Sequence, residues 1–159
     1  KMQEDGLDFA DALHLAQEAG YAEADPSLDV NGGDATHKLT ILATLAFGAK
    51  IVPSQVSTEG IEALTALDMK TAARFGYVVK LLATARALGP GGALDLRVHP
   101  TLVRRASVLA SISGALKPSQ TISTFLLAAS ALTDLTPARS ATSVWMVCTQ
   151  CMQEIFGTE

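Results

Sequence analysis

A chain of 159 residues has the length of one domain, and it can bury roughly two-thirds of the surface that its unfolded form exposes. Its 48% apolar and 18% charged residues are typical of a compact folded protein and argue against intrinsic disorder. A net charge of −4, with no basic cluster beyond Arg104-Arg105, argues against a nucleic-acid partner, and no apolar run reaches the roughly 18 residues that cross a membrane.

The first predicted element is an amphipathic helix that begins at Phe9. Asp8 is a typical N-cap residue, and Asp11 stands three positions later as a weaker partner in a capping-box arrangement. Apolar residues recur along one face of the segment that follows, and Gly20 tolerates the left-handed conformation in which many helices end. We therefore interpret Asp8 and Asp11 as capping residues rather than as catalytic ones.

An acidic loop follows this helix, and Pro26 together with the run Asn31-Gly32-Gly33 marks it as a loop. Three carboxylates lie in it: Glu23, Asp25 and Asp29. The loop leads to Asp34, which opens an apolar helical pattern that we expect to run to Phe47 and to end at Gly48. The sequence thus predicts an acidic loop next to the start of a helix.

Asp34 and Lys38 are four residues apart, so that on a helix they lie on one face, one turn from each other. One interpretation is an ordinary solvated ion pair at a helix start, which is the more common origin of this spacing. The other is a pocket in which clustered carboxylates bind a positively charged ligand, and in which Lys38 gives or takes a proton. The spacing alone does not distinguish between these interpretations.

The middle of the chain is predicted to mix extended segments with one helix. Ala49–Val52 is predicted as a short strand and Gln55–Ile61 as a further extended segment. Thr65 and Asp68 form a capping box for a helix that ends before Gly76.

A β-hairpin is predicted next, in which the apolar run Tyr77–Ala85 and the alternating run Ala93–Val98 flank a glycine-rich turn. Lys80 interrupts the first run, and we interpret it as a lysine at the edge of the sheet with its ammonium group in water. His99-Pro100 is interpreted as structural, because the proline is expected to end the second strand.

The C-terminal part is predicted to form two helices, Thr121–Leu132 and Pro137–Ile155. The two cysteines of the chain, Cys148 and Cys151, form a lone C-x-x-C there. We interpret them as reduced thiols on a helix, because a zinc site would need two more ligands and a redox site would need a strand-to-helix junction. We assign no function to this part of the chain.

The run GYAEADPSLDVNGGDATHK, residues 20–38, resembles the substrate-binding stretch of homoserine dehydrogenases. Their pattern is roughly G-Y-x-E-x-D-P-x-x-D-x-x-G-x-D-x-x-x-K, and every fixed position of it is filled here. Three shorter segments resemble the same family: EGI at Glu59–Ile61, GYVVKLL at Gly76–Leu82 and RVHPTLV at Arg97–Val103. The resemblance extends from about Gly6 to about Gly114.

Homoserine dehydrogenases reduce aspartate β-semialdehyde to homoserine with NADP or NAD, so the resemblance implies this substrate and this cofactor. It implies that Lys38 donates a proton to the aldehyde oxygen and that Asp34 binds substrate and positions the lysine. Glu23 would pair with the substrate ammonium group, Asp29 would line the same pocket, and Tyr21 would help to shape it. The residue types fit these implied roles. A ligand with an ammonium group needs a carboxylate partner, and delivery of a hydride to a carbonyl needs an acid beside the oxygen.

The resemblance also implies an α+β fold, with helices packed on one face of a mixed or antiparallel sheet that serves a homodimer contact in the intact enzyme. Residues 1–115 would form a catalytic domain that is truncated on its N-terminal side, and residues 116–159 a divergent helical tail. The implied location is the cytoplasm, or the plastid in a plant or alga.

The dinucleotide-binding pattern G-x-G-x-x-G is missing from the sequence, and the pairs Gly32-Gly33 and Gly91-Gly92 do not fit it. We therefore expect the chain to supply the substrate-binding and proton-donor half of the enzyme, without the nucleotide-binding domain, and to show no dehydrogenase activity alone. One alternative is a catalytically inactive domain that acts as a dimerising or binding module. Another is a redox or metal protein built on the two cysteines.

Overall fold

The computed structural model describes residues 1–89 and 92–111 and the backbone of residues 143–148. Its helices are α1 (Met2–Asp5), α2 (Phe9–Glu18), α3 (Ser27–Val30), α4 (Gly33–Phe47), α5 (Ala66–Arg74) and α6 (Val108–Ser111). Its strands are β1 (Ser57–Thr58), β2 (Tyr77–Ala87), β3 (Leu94–Arg104) and β4 (Ser143–Cys148). Within these residues, every helix is too short or too polar to cross a membrane.

The strands form one mixed sheet in the order β1-β3-β2-β4. β2 and β3 make an antiparallel hairpin that pairs along its whole length, from Tyr77 opposite Arg104 to Ala87 opposite Leu94. β4 pairs antiparallel with the other side of β2, whereas β1 pairs parallel with β3. The predicted α+β class with a mixed sheet is therefore confirmed.

One face of the sheet carries the main core. Leu81 and Ala83 of β2 are buried there, together with Leu39 of α4 and Met69 of α5. Burying an apolar side chain of the size of leucine or methionine stabilises a protein by about 1.5–3 kcal/mol. This burial fixes α4 and α5 on the same face of the sheet.

The opposite face of β2 is buried as well. Val78 and Leu82 form a second, smaller cluster with Val103 of β3, and Leu109 and Ala110 of α6 pack against it. A strand that is buried on both faces is a nearly continuous apolar run rather than an alternating one. This double burial explains the composition of β2.

The helix ends follow the local signals in the sequence. At the start of α2, the Asp11 N–H donates a hydrogen bond to Asp8 Oδ1 at 3.0 Å. At the start of α5, the Thr65 N–H donates to Asp68 Oδ2 at 2.9 Å, which completes the predicted capping box. Gly48 ends α4 with a φ of +63°. These predictions are confirmed.

Two predictions about the strands are wrong. Ala49–Val52 is not a strand, and a 3-10 turn at Pro53–Gln55 follows it. Pro100 does not end β3, which runs through it. Within the described sheet, β1 pairs only with Arg97 and Val98 of β3, so the rest of that edge has no strand beside it. A proline, which lacks an N–H group, is tolerated at such an edge.

The C-terminal prediction is wrong where the structure describes it. Ser143–Cys148 forms β4 and so does not belong to the predicted helix Pro137–Ile155, and Cys148 lies in a strand. The sequence of this strand, SVWMVC, is rich in residues that favour strands. The predicted helix Thr121–Leu132 and Cys151 lie outside the described residues.

Lys80 was predicted at an edge of the sheet, and this is wrong because β2 lies between β3 and β4. The residue is only 3% exposed, and Thr101 is its partner on β3. Burial lowers the pKa of Lys80, because removal of the ammonium group from water disfavours its charged form. Nothing in the hairpin sequence indicates that a strand as distant in the chain as β4 pairs with β2.

We expect the buried Lys80 to make the stability of the protein depend on pH. Because its pKa is lower in the folded than in the unfolded state, the free energy of unfolding rises with pH between the folded pKa and the unfolded value of about 10.4. Lys80→Met should remove this rise, whereas Lys70→Met, at an exposed position of α5, should retain it. Urea unfolding at several values between about pH 7 and about pH 10 measures the free energy of unfolding. A rise of equal size in wild type and Lys80→Met would contradict the prediction.

Candidate active site

The candidate site lies at the junction of α3 and α4, which is formed by the turn Asn31-Gly32-Gly33. The Gly33 N–H donates a hydrogen bond to Asn31 Oδ1 at 2.7 Å. Gly32 has a φ of +81°, in the left-handed region that favours glycine, and it directly precedes α4. The glycines of the acidic stretch thus set the point at which α4 begins.

Asp34 and Lys38 meet on the first two turns of α4. Lys38 Nζ lies 2.6 Å from Asp34 Oδ2, and the lysine and aspartate side chains are 45% and 31% exposed. Asp34 Oδ2 itself is shielded from solvent, and its contact with the ammonium group is an ion pair without the angles of a directional hydrogen bond. A carboxylate is therefore held beside a half-exposed ammonium group.

This pair is suited to hold a proton donor at the protein surface. An ammonium group has three N–H donors, so the contact with Asp34 does not by itself exhaust the donors of Lys38. A carboxylate in the first turn of a helix also interacts favourably with the helix macrodipole. A partly exposed ion pair contributes only up to about 1 kcal/mol to stability. The pair therefore contributes little to stability and mainly fixes the position of the ammonium group.

Tyr21 and Glu23 lie in the loop between α2 and α3, and both side chains are exposed, Tyr21 by 52%. The backbone of this loop is anchored to α2, because Gln17 Nε2 donates to the carbonyl oxygens of Glu23 at 3.0 Å and Ala24 at 3.4 Å. The Tyr21 N–H donates to the carbonyl oxygen of Ala16 at 2.9 Å. The loop thus has a fixed backbone and an exposed carboxylate.

Asp29 lies on α3, not in an irregular loop as predicted. It is half-buried, on a helix that contacts α4. Asp25 precedes α3, and its Oδ1 accepts a hydrogen bond from the Ser27 N–H at 3.1 Å. Hydrogen bonds from the side chain and the backbone of Ser27 lower the pKa of Asp25. Asp25 thus accepts a hydrogen bond from the first residue of α3, whose N-cap is Pro26.

The residues that hold the start of α4 against the sheet were not predicted from the sequence. Thr36, which is 6% exposed, places its hydroxyl oxygen 2.7 Å from the hydroxyl oxygen of Thr58. Gly60 packs directly against the backbone at the end of α3. The threonines are too distant in sequence for a local pattern to pair them. Gly60 could have been noticed only through its place in the segment EGI at Glu59–Ile61, which resembles the family.

The described residues do not form a dinucleotide-binding turn. Gly32-Gly33 precedes a helix, as such a turn does, but a Cβ on Gly32 would lie 3.1 Å from Thr58 Cγ2 and 3.2 Å from Val98 Cγ1. The turn is therefore closely packed against these side chains, and Asp34 adds a negative charge that disfavours an anion there. The described residues also lack any group of three His, Cys, Asp or Glu side chains that could hold a metal ion.

Comparison with known proteins identifies the family. The family model described as homoserine dehydrogenase matches residues 1–131. The homoserine dehydrogenase of Synechocystis sp. is 48% identical over 116 residues, and that of Neisseria gonorrhoeae is 47% identical over 114 residues. Each match covers 72% of this chain but only 27% and 26% of the two relatives. The chain therefore spans about a quarter of the length of these curated relatives.

Solved structures agree with this match. A homoserine dehydrogenase from Thiobacillus denitrificans is similar with a TM-score of 0.68 and 34% identity, over 98% of this chain and 33% of that one. The S. aureus homoserine dehydrogenase at pH 6.0 gives a TM-score of 0.65 and 35% identity, over 70% of this chain and 29% of that one. From its sequence and its fold together, the chain belongs to the homoserine dehydrogenase family.

Proposed function

We propose that this chain supplies the substrate-binding and proton-donor part of a homoserine dehydrogenase, which reduces L-aspartate 4-semialdehyde to L-homoserine with NADPH or NADH. The main support is the ion pair between Asp34 and Lys38 at the start of α4. Both residues stand at fixed positions of the pattern that the stretch 20–38 shares with the family. The chain spans about a quarter of its relatives' length, so the activity of the whole enzyme is a proposal for this chain.

Lys38 is the proposed proton donor. Reduction of an aldehyde leaves negative charge on the carbonyl oxygen, and an acid placed beside that oxygen stabilises the charge by donating a proton. Asp34 holds the ammonium group of Lys38 in place through a contact of 2.6 Å. Since Lys38 is half-exposed, a small aldehyde can reach it from the solvent side.

Glu23 is the proposed partner of the substrate ammonium group. Hydrogen bonds between a carboxylate and an ammonium group are roughly twice as strong as those between neutral groups. The exposed side chain of Glu23 is accessible to a ligand, while the hydrogen bond from Gln17 keeps its backbone in place. Asp29 and Tyr21 complete the proposed pocket, as the resemblance to the family implies.

The hydride would come from NADPH or NADH bound outside the described residues, since those residues do not form a dinucleotide-binding turn. We assign the described residues only substrate recognition and proton donation. The second candidate function is a catalytically inactive domain that binds or dimerises without turning over substrate.

For the intact enzyme we propose a homodimer that forms through the sheet. Leu102 of β3 is 59% exposed and Phe75, at the end of α5, is 71% exposed. Neighbouring exposed apolar side chains of this kind often mark protein–protein contacts. A location in the cytoplasm, or in the plastid of a plant or alga, stays a prediction from the resemblance.

Glu23→Gln is expected to weaken homoserine binding at least about tenfold, because a hydrogen bond to a charged group contributes about 1.5–3 kcal/mol. Isothermal titration calorimetry of the full chain with homoserine measures this loss. Glu62→Gln, at an exposed glutamate before α5, is the matched control and should bind like wild type. Equal affinities for Glu23→Gln and wild type would remove Glu23 from the pocket. If wild type does not bind either, the inactive module is the better description.

Lys38→Ala is expected to lower turnover roughly 10²–10⁴-fold, because the reaction loses its general acid. The measurement is NADPH oxidation with aspartate semialdehyde, in a fusion protein that joins this chain to a nucleotide-binding domain. His37→Ala changes the exposed neighbour of the lysine and should leave turnover near that of wild type. An unchanged rate in Lys38→Ala would exclude it as the proton donor.

A further inference from the structure

We propose that Gly60 and Thr58 are positioning residues for the ion pair of Asp34 and Lys38. They belong to the 58–61 segment (Thr58–Ile61), which leaves β1 and packs against the junction of α3 and α4. This inference rests on the proposed function, because it assumes that the ion pair belongs to the substrate site. Neither residue is part of the acidic stretch that suggested the site.

Gly60 packs against the backbone that ends α3. A Cβ on Gly60 would overlap the carbonyl oxygen of Val30 and would lie 2.7 Å from Asn31 Cα. The φ angle of Gly60 is not in the left-handed region, so glycine is required here for its small size and not for its backbone conformation. Next to it, the Ile61 N–H donates to the Val30 carbonyl oxygen at 2.8 Å. The end of α3 thus has no room to move toward this segment.

Thr58 packs against the start of α4. Its hydroxyl oxygen lies 2.7 Å from that of Thr36, and its Cγ2 atom would lie 3.1 Å from a Cβ on Gly32. The Glu59 N–H donates to the Val98 carbonyl oxygen at 2.8 Å, so the 58–61 segment is itself fixed to β3. The first turn of α4 is therefore held to the sheet through Thr58.

The 58–61 segment contacts the chain on both sides of the Asn31-Gly32-Gly33 turn. Thr36, which it holds, lies between Asp34 and Lys38 on the same two helical turns. Because a helix moves as a rigid unit, a displacement of its first turn moves both charged side chains relative to the acidic loop. A misplacement of about 1 Å in a substrate site can reduce its rate about 10²-fold. Gly60 and Thr58 therefore act on substrate through Asp34 and Lys38, without touching it.

Gly60→Ala tests the packing against α3. It should weaken homoserine binding to the full chain at least about tenfold and lower kcat in the fusion protein by a similar factor. Gly48→Ala is the control, because it strains the left-handed residue at the other end of the same helix, where a Cβ would meet nothing. Both variants are expected to unfold at lower urea concentration, but only Gly60→Ala should lose affinity and kcat.

Thr58→Val and Thr58→Ser test the hydroxyl contact. Valine keeps the shape of threonine and removes the hydroxyl group, whereas serine keeps the hydroxyl group and removes the methyl group. Binding should weaken severalfold in Thr58→Val and return close to the wild-type value in Thr58→Ser. The same order of kcat values is expected in the fusion protein. This pair of variants decides the question if Gly60→Ala does not fold.

The outcomes separate this inference from the proposed function. If wild type binds homoserine and Glu23→Gln does not, the proposed substrate site is supported. If Gly60→Ala and Thr58→Val then bind and turn over like wild type, the positioning role is wrong while the site stands. If Gly60→Ala and Thr58→Val lose no more affinity for homoserine than the control Gly48→Ala, the 58–61 segment has only a structural role. If wild type does not bind homoserine, both proposals are wrong.

Discussion

The contact between residues 58–61 and the α3–α4 junction is the constraint on which the candidate site depends. The left-handed conformation of Gly32 turns the chain from α3 into α4, and the hydrogen bond from the Ile61 N–H to the Val30 carbonyl oxygen holds that turn beside the sheet. We propose that this contact places the ion pair on α4, and it does so through hydroxyl, methyl and backbone atoms that carry no charge. Asp34 and Lys38 are close in sequence, whereas the residues proposed to fix their position, 58–61, lie further along the chain.

α4 divides two tasks between its faces. Leu39 and Ala43 are buried in the main core, and this burial holds the helix against the sheet. Lys38 and His37 lie on the exposed side, in contact with solvent. An ion pair that contributes little to stability can stand there because the apolar face supplies the stability. In the fifteen residues of α4, one face therefore packs in the core while the other carries the ion pair.

Local signals in the sequence were enough to predict the ends of α2, α4 and α5 and the hairpin, because caps and left-handed glycines act within a few residues. The adjacency of Asp34 and Lys38 was predictable for the same reason. The pairing of Thr36 with Thr58 was not, since it depends on how β1 and α4 meet. The burial of Lys80 was also out of reach, because it depends on how both faces of β2 are covered in the folded protein.

A lysine in the middle of β2 has a consequence for how the hairpin aligns. In the native pairing, Lys80 and Thr101 share one face, while Leu81 and Ala83 fill the core on the other. A slip of one residue between the strands would reverse the faces and direct an ammonium group into that apolar core. In that shifted alignment, burying the charged ammonium group among apolar side chains would cost far more free energy than a poorly packed methyl group. Lys80 thus disfavours the shifted alignments that a purely aliphatic strand would allow.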